Sequence, residues 1–285
     1  GKVCKHLNVE IGAICVANPK NYLSQKKEYK IKNIYSNYIE LLKKEKYDFV
    51  MVFLPWNQIE KHLPNIIRYS KKNIFCEKPV ALSLKKILKI NSLTNIFKKK
   101  IYVLYNRRFY KIFDFLKKQL KKNNLTKFQM KISDRENQLI KLHSKKIKGK
   151  LKYHITSHWI DLVMWLFNLD NLKFSKIKNK YEIKFDKLTD YTNIYLDYLG
   201  KGPIQMNFTF KTFKYKVVTL EKLYLIKKNK KKIIINEKKL NNFKPGVLNL
   251  VKTIKNIVLK NTSKHDLPQI RELVNLYKNI QYIKN

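Results

Sequence analysis

Two halves of different architecture are predicted from this sequence: an α/β half with a parallel sheet covered by helices, then an α+β half with a largely antiparallel open sheet and flanking helices. Three observations predict it. Up to about residue 123, apolar runs of strand length alternate with amphipathic segments, the pattern of a parallel sheet wound with helices. From about Asn124 the strand-like runs follow one another too closely for helical crossovers, which implies antiparallel pairing. The chain has 285 residues, about the size at which a single hydrophobic core stops growing, so two domains, 1–123 and 124–285, are expected.

Taken in order, the first half should hold strands over Val9 to Val16, near Ile31 to Tyr35, and over Asp48 to Leu54, Asn73 to Cys76 and Ile101 to Tyr105. Apolar residues at helical spacing predict helices over Asn37 to Lys46, Gln58 to Tyr69 and Ser83 to Phe97, with Ser83 as N-cap. After a helix over Tyr110 to Leu120, strands are expected over Lys127 to Ser133, Lys173 to Phe185, Thr192 to Leu199, Ile204 to Phe210, Lys214 to Leu220, Leu223 to Lys227 and Lys232 to Asn236. One amphipathic segment, Ile155 to Phe167, interrupts that series, and two more, Val247 to Leu259 and Leu267 to Ile283, end it. Asp266 and Gln269 have the spacing of a capping pair for the last helix.

A net charge of +43 taken alone points to nucleic acid. Of the 63 basic residues, however, only Arg68, Arg107, Arg108, Arg135 and Arg271 are arginine, and sites that read bases favour the guanidinium fork. The lysines are dispersed, so a solvated basic surface with weak, salt-sensitive attraction for polyanions is expected, and no specific nucleic acid. Cys4, Cys15 and Cys76 form neither a disulfide framework nor a zinc pattern, and no metal site is expected. The apolar stretches are shorter than the roughly 20 residues a bilayer span needs, and no secretory signal is visible, which suggests a cytoplasmic protein.

The stretch richest in chemistry is Phe75-Cys76-Glu77-Lys78-Pro79-Val80-Ala81-Leu82-Ser83, an apolar strand running into a charged turn and then a helix start. A lysine at the carboxyl end of a parallel strand faces the crevice where such sheets bind ligands. Its ammonium can orient a carboxamide and polarise a hydroxyl or carbonyl, and burial would lower its pKa toward proton traffic. Chemistry alone leaves a surface lysine as the simpler alternative.

These residues resemble the Glu-Lys-Pro motif of the glucose-fructose oxidoreductase and inositol dehydrogenase (Gfo/Idh/MocA) family. Three further motifs in the same order are similar to that family's: Tyr47 to Pro55, a strand ending in proline; Asn106-Arg107-Arg108-Phe109; and Ser157-His158-Trp159-Ile160-Asp161-Leu162. The resemblance implies a Rossmann-like dinucleotide domain followed by a substrate-binding and oligomerisation domain, and NAD(P)-dependent hydride transfer on a sugar, polyol or sugar nucleotide. NAD or NADP would be the cofactor, and the second sheet would carry homo-oligomer contacts.

By the same resemblance, Lys78 contacts nicotinamide and substrate, and His158 takes or returns the hydroxyl proton, a task suited to imidazole. Gly1, Pro55, Trp56, Glu77 and Asn106 would line the cofactor, Trp56 either stacking on adenine or packing in the core. Arg107, Arg108, Tyr153, His154 and His158 would face the substrate, the arginines suiting a carboxylate or phosphate. For the arginines the alternative is a strand-end cluster capping the next helix; for His158 it is a hydrogen-bonded core histidine on a face formed by Ile160, Val163, Met164 and Phe167.

Three departures stand out. Where many family members have an aspartate four residues before the histidine, this chain has His154, so the proton relay differs or the activity is lost. No acidic residue follows the Val9 to Val16 strand, so NAD cannot be preferred over NADP. No Gly-x-Gly-x-x-Gly occurs; Gly1 stands where the last glycine of that loop belongs, which suggests a truncated chain that binds dinucleotide poorly. A non-catalytic ligand-binding or scaffold relative is the alternative.

Overall fold

The computed structural model describes residues 1–133, 140–141, 150, 152–170, 172–177, 180–184, 192–197, 204–240, 242–262 and 265–283. Its contacts divide into two compact units, Gly1–Asn106 with Val247–Val274, and Arg107–Gly246 with Asn275–Asn285. The division thus falls earlier than residue 123, and a late helical segment returns to the first unit.

Five parallel strands build the first unit: β1 (Ala13–Cys15), β2 (Asn33–Tyr35), β3 (Phe49–Val52), β4 (Asn73–Cys76) and β5 (Ile101–Val103). They form two sheets, β1-β2 and β3-β4-β5, with no ladder between β1 and β3 among the described residues. In β4, Ile74, Phe75 and Cys76 are fully buried, as a strand covered on both faces must be. The Phe75 ring stacks on Tyr102 of β5 at 5.0 Å and meets Phe49 of β3 edge-on at 5.6 Å, so one aromatic row ties the three strands. Helices Tyr38–Lys44, Ile59–Tyr69 and Leu84–Ile96 fill the gaps as their periodicity predicts.

Two features differ from expectation. The first strand shortens to Ala13–Cys15, because Val9 N–H instead caps the preceding Lys2–His6 helix by donating to Cys4 O, 2.9 Å away. Between β1 and β2 lies an unforeseen turn of 3₁₀ helix, Pro19–Tyr22, followed by an α-helix, Leu23–Glu28. Its start is written in the sequence: the Asn18 carboxamide accepts from Lys20 N, and Pro19 occupies the first helical position.

The second unit carries an eight-stranded sheet. Its strands are β6 (Leu125–Ser133), β7 (Lys173–Ile177), β8 (Lys180–Lys184), β9 (Thr192–Asp197), β10 (Gln205–Phe210), β11 (Lys214–Val218), β12 (Lys222–Lys227) and β13 (Lys230–Asn236). They lie in the order β13-β12-β11-β10-β6-β9-β8-β7. Pairing is antiparallel except between β6 and β9, whose long connection contains the Ser157–Phe167 helix, so a parallel crossover is possible there. The run predicted as one strand from Lys173 to Phe185 is a β7-β8 hairpin; residue 185 and the expected strand end at 198–199 lie outside the described residues.

Period-two alternation buries Phe128, Met130 and Ile132 of β6 and Met206, Phe208 and Phe210 of β10 on one face. The Ser157–Phe167 helix packs there, Phe167 meeting Phe128 at 4.9 Å. That helix is not amphipathic as expected: every residue from Ser157 to Met164 is buried, the mark of a helix enclosed on all sides. The last helix, Ile270–Ile280, starts differently from expectation too. It begins three residues later, and Glu272 Oε1 accepts from Gln269 N–H at 3.1 Å across its first turn. Among the described residues no helix is long and apolar enough to cross a membrane.

Candidate functional site

In the first unit, register brings the motif residues to one edge. Val52 pairs with Cys76, and Cys76 with Val103, so the segments leaving β3, β4 and β5 at their carboxyl ends emerge side by side. Glu77 N–H donates to Val52 O at 2.9 Å and Leu104 N–H to Cys76 O at 2.9 Å, extending the ladders past the strands. This edge presents Phe53 (62% exposed) and exposed Pro55, with half-buried Trp56, Glu77, Lys78 and Asn106. Open α/β sheets bind ligands at this end.

The Lys78–Pro79 peptide is cis, and Val80, Ala81 and Leu82 behind it are buried. Leu82 N–H donates to Glu60 Oε2 at 3.1 Å, while Oε1 of the same carboxylate pairs with Lys86. Ser83 Oγ accepts from Lys86 N–H, the N-cap bond its position predicts. Lys78 is therefore the half-buried start of a turn whose following residues are anchored. Burial pushes the neighbouring Cys76 thiol far up, so it stays an inert thiol.

An apolar rim beside one ammonium is a lining compatible with the flat, amide-bearing end of a dinucleotide. Gly1 stands at the start of the Lys2–His6 helix, on the wall of a hollow of about 160 Å³ shared with Lys5, Val9, Ile11 and Tyr29. A Cβ at Gly1 would overlap the far end of the half-buried Tyr29 ring, so a larger residue there needs that ring to shift.

In the second unit the predicted substrate residues cluster around the buried helix. A π-turn, Lys152–Thr156, leads into Ser157–Phe167, and Tyr153, His154 and His158 on these two turns are all buried. Ser157 Oγ donates to Tyr153 O at 2.7 Å, fastening one turn to the next, and the Tyr153 ring lies 5.0 Å from Tyr277. Single π-turns recur where a side chain must be re-aimed within a helix. Lys152 Nζ donates to Gln281 O at 3.0 Å and Ile283 O at 2.7 Å, and burial lowers its pKa.

Arg108 makes a buried two-point ion pair with Asp161: Nε to Oδ2 at 2.9 Å and Nη2 to Oδ1 at 2.6 Å. The Arg107 guanidinium lies on the Trp159 ring, 3.2 Å from its centroid. Both arginines thus grip the helix that carries His158. At the start of the Lys111–Lys122 helix, Glu237 Oε1 accepts from Ile112 N–H at 2.8 Å. The sequence put Asp161 and Trp159 in the Ser157 to Leu162 motif without naming their arginine partners, and it did not single out Glu60 or Glu237. The three-residue step from His158 to Asp161 was the one available signal. Among the described residues no group of three or more His, Cys, Asp or Glu is gathered to hold a metal.

Residues 3–105 match the family model described as an oxidoreductase family with an NAD-binding Rossmann fold. No curated protein matches the chain. Among solved structures it is similar to an oxidoreductase from Thermotoga maritima, at 16% identity over 98% of this chain and 89% of that one, with a TM-score of 0.76. A 3-ketoreductase from Actinomadura kijaniata in complex with NADP and TDP-benzene is 10% identical over 99% of this chain and 91% of that one, with a TM-score of 0.73. An oxidoreductase from Agrobacterium radiobacter, in complex with NAD⁺, L-tartaric acid and magnesium, is 12% identical over 95% and 86%, with a TM-score of 0.71. At such identities the likeness is one of fold.

Proposed function

We propose, for a chain whose residues 3–105 match the Gfo/Idh/MocA oxidoreductase family model, reversible hydride transfer between NAD(P) and a secondary alcohol or ketone carbon of a sugar, polyol or sugar nucleotide. The observation that carries the reading is Glu77-Lys78-Pro79 at the carboxyl edge of β3, β4 and β5, inside the matched segment. Bound NAD or NADP supplies the hydride carrier. Lys78 orients the carboxamide and donates to the substrate oxygen; Phe53, Pro55 and Trp56 keep water from the ring. His158 takes the proton as the alcohol is oxidised and returns it in reduction.

Tyr153, His154 and Arg107 are the proposed substrate contacts, and Arg108 acts by holding the helix. The sugar-nucleotide class is supported by the ketoreductase relative, whose structure holds TDP-benzene. A cytoplasmic setting agrees with three free cysteines, and self-association through the eight-stranded sheet is part of the same proposal. His154, standing where many family members have aspartate, favours a second reading as a ligand-binding relative that binds nucleotide without turnover.

The test is a screen of sugars, polyols and sugar nucleotides followed by nicotinamide absorbance. Turnover should appear with one class and fall about 10²- to 10⁴-fold in Lys78→Ala and His158→Ala. Full activity in both variants refutes the mechanism. Nucleotide binding without turnover across the screen favours the second reading.

A further inference from the structure

The amino-terminal ends of β3, β4 and β5, opposite the edge that carries Lys78, surround a hollow of about 300 Å³. Its wall contains Lys71, Lys72, Lys98, Lys99 and Lys100, against a single carboxylate, Asp48. We propose that this hollow binds a compact polyvalent anion of the small-polyphosphate class.

Two tight connections bring the lysines together, and both are fixed by hydrogen bonds. Before β4, Lys71 N–H donates to the Tyr47 hydroxyl at 3.0 Å and Ser70 Oγ donates to Lys72 O at 2.9 Å. Before β5, Lys98 adopts a left-handed conformation (φ 48°) and Lys99 N–H donates to Thr94 O at 2.8 Å, closing the helix end. Lys100 O then accepts from Ile74 N–H at 3.0 Å, locking one connection against the other. The backbone carrying these charges is therefore set before any ligand arrives.

The charges are also uncompensated. Elsewhere carboxylates take up lysines, as in Lys32–Glu10, Lys44–Glu40 and Lys118–Asp114. Here, among the described residues, the ammonium groups of Lys72, Lys98, Lys99 and Lys100 meet no carboxylate, and Lys71 Nζ reaches only a backbone carbonyl, Lys43 O. A cluster of like charges around a concavity concentrates positive potential there. The lining has no arginine to read a base and no aromatic ring to stack on one, which argues against a nucleic-acid strand. The volume lies at the lower end of the range of small-molecule sites, which suits a compact ligand.

Inorganic tripolyphosphate, titrated calorimetrically into the intact chain at about 0.15 M salt, is the probe. Saturable one-to-one binding is expected, weakened about tenfold or more in Lys72→Gln/Lys99→Gln. Lys230→Gln/Lys232→Gln on β13 removes the same charge far along the chain and should change the affinity less than about twofold. In the unaltered protein, tripolyphosphate should shift the amide resonances of residues 71–73 and 98–100, a reading independent of how the variants fold. Equal weakening by both double variants, shifts spread over the lysine surface, or tighter binding of a short single-stranded oligonucleotide would each overturn the proposal.

Discussion

Removing Asp161 should be among the most damaging single changes in the second unit. The pair it makes with Arg108 is 3% exposed on the carboxylate side and 8% on the guanidinium side, with both hydrogen bonds at or below 2.9 Å. Burying two charges costs several kcal/mol each, and their attraction offsets this only while both are present. Asp161→Ala removes the carboxylate that balances the buried Arg108 guanidinium, which costs about 3–5 kcal/mol. At about 2–4 °C per kcal/mol, the melting temperature should fall roughly 6–20 °C. Arg108→Met/Asp161→Leu removes both charges at similar volume and should recover most of that loss. Urea unfolding followed by circular dichroism, run as a double-mutant cycle, measures the coupling. A loss below about 1 kcal/mol for Asp161→Ala, or a double variant no better than the sum of the singles, would refute the reasoning.

Glu237 is 4% exposed, and burial raises its pKa above the ordinary 4.5, with the Ile112 N–H pulling the other way. The folded chain holds this proton more tightly than the unfolded one, so the group's contribution is full below 4.5 and declines as pH rises through the raised value. Glu237→Gln keeps an acceptor for Ile112 and should flatten that decline in a pH series of urea unfolding; an unchanged slope would assign it to another group. Ser83→Ala removes the N-cap of the Leu84–Ile96 helix and should cost about 1 kcal/mol in the same assay, while no loss would mean the 3.3 Å bond contributes nothing.

What the sequence made legible was whatever local chemistry decides. The Asn73–Cys76 strand and the Ser83 cap appear as read, because a short apolar run between polar turns and a serine before a helical period leave few alternatives. The Leu23–Glu28 helix was missed because it buries no side chain and so shows no apolar stripe, although Asn18 and Pro19 announce its start. The parallel β6-β9 pairing and the Arg108–Asp161 pair, 53 residues apart, depend on which segments meet in space, and residue pattern alone carries no such information. Motif order pointed to Lys78 and His158 as chemistry but not to the side chains that anchor them. The lysine hollow was equally hidden, since Lys71, Lys72 and Lys98 to Lys100 read like any other lysines in a chain with 63 basic residues.

The central claim is that the carboxyl edge of β3, β4 and β5 receives the nicotinamide coenzyme. Amide and methyl resonances recorded while NAD⁺ or NADP⁺ is titrated into the protein test it directly. Saturable shifts at residues 53–56, 77–80 and 104–106 are predicted. Shifts confined to the opposite end of those strands, at Asp48, Lys71 to Asn73 and Lys98 to Lys100, would contradict it.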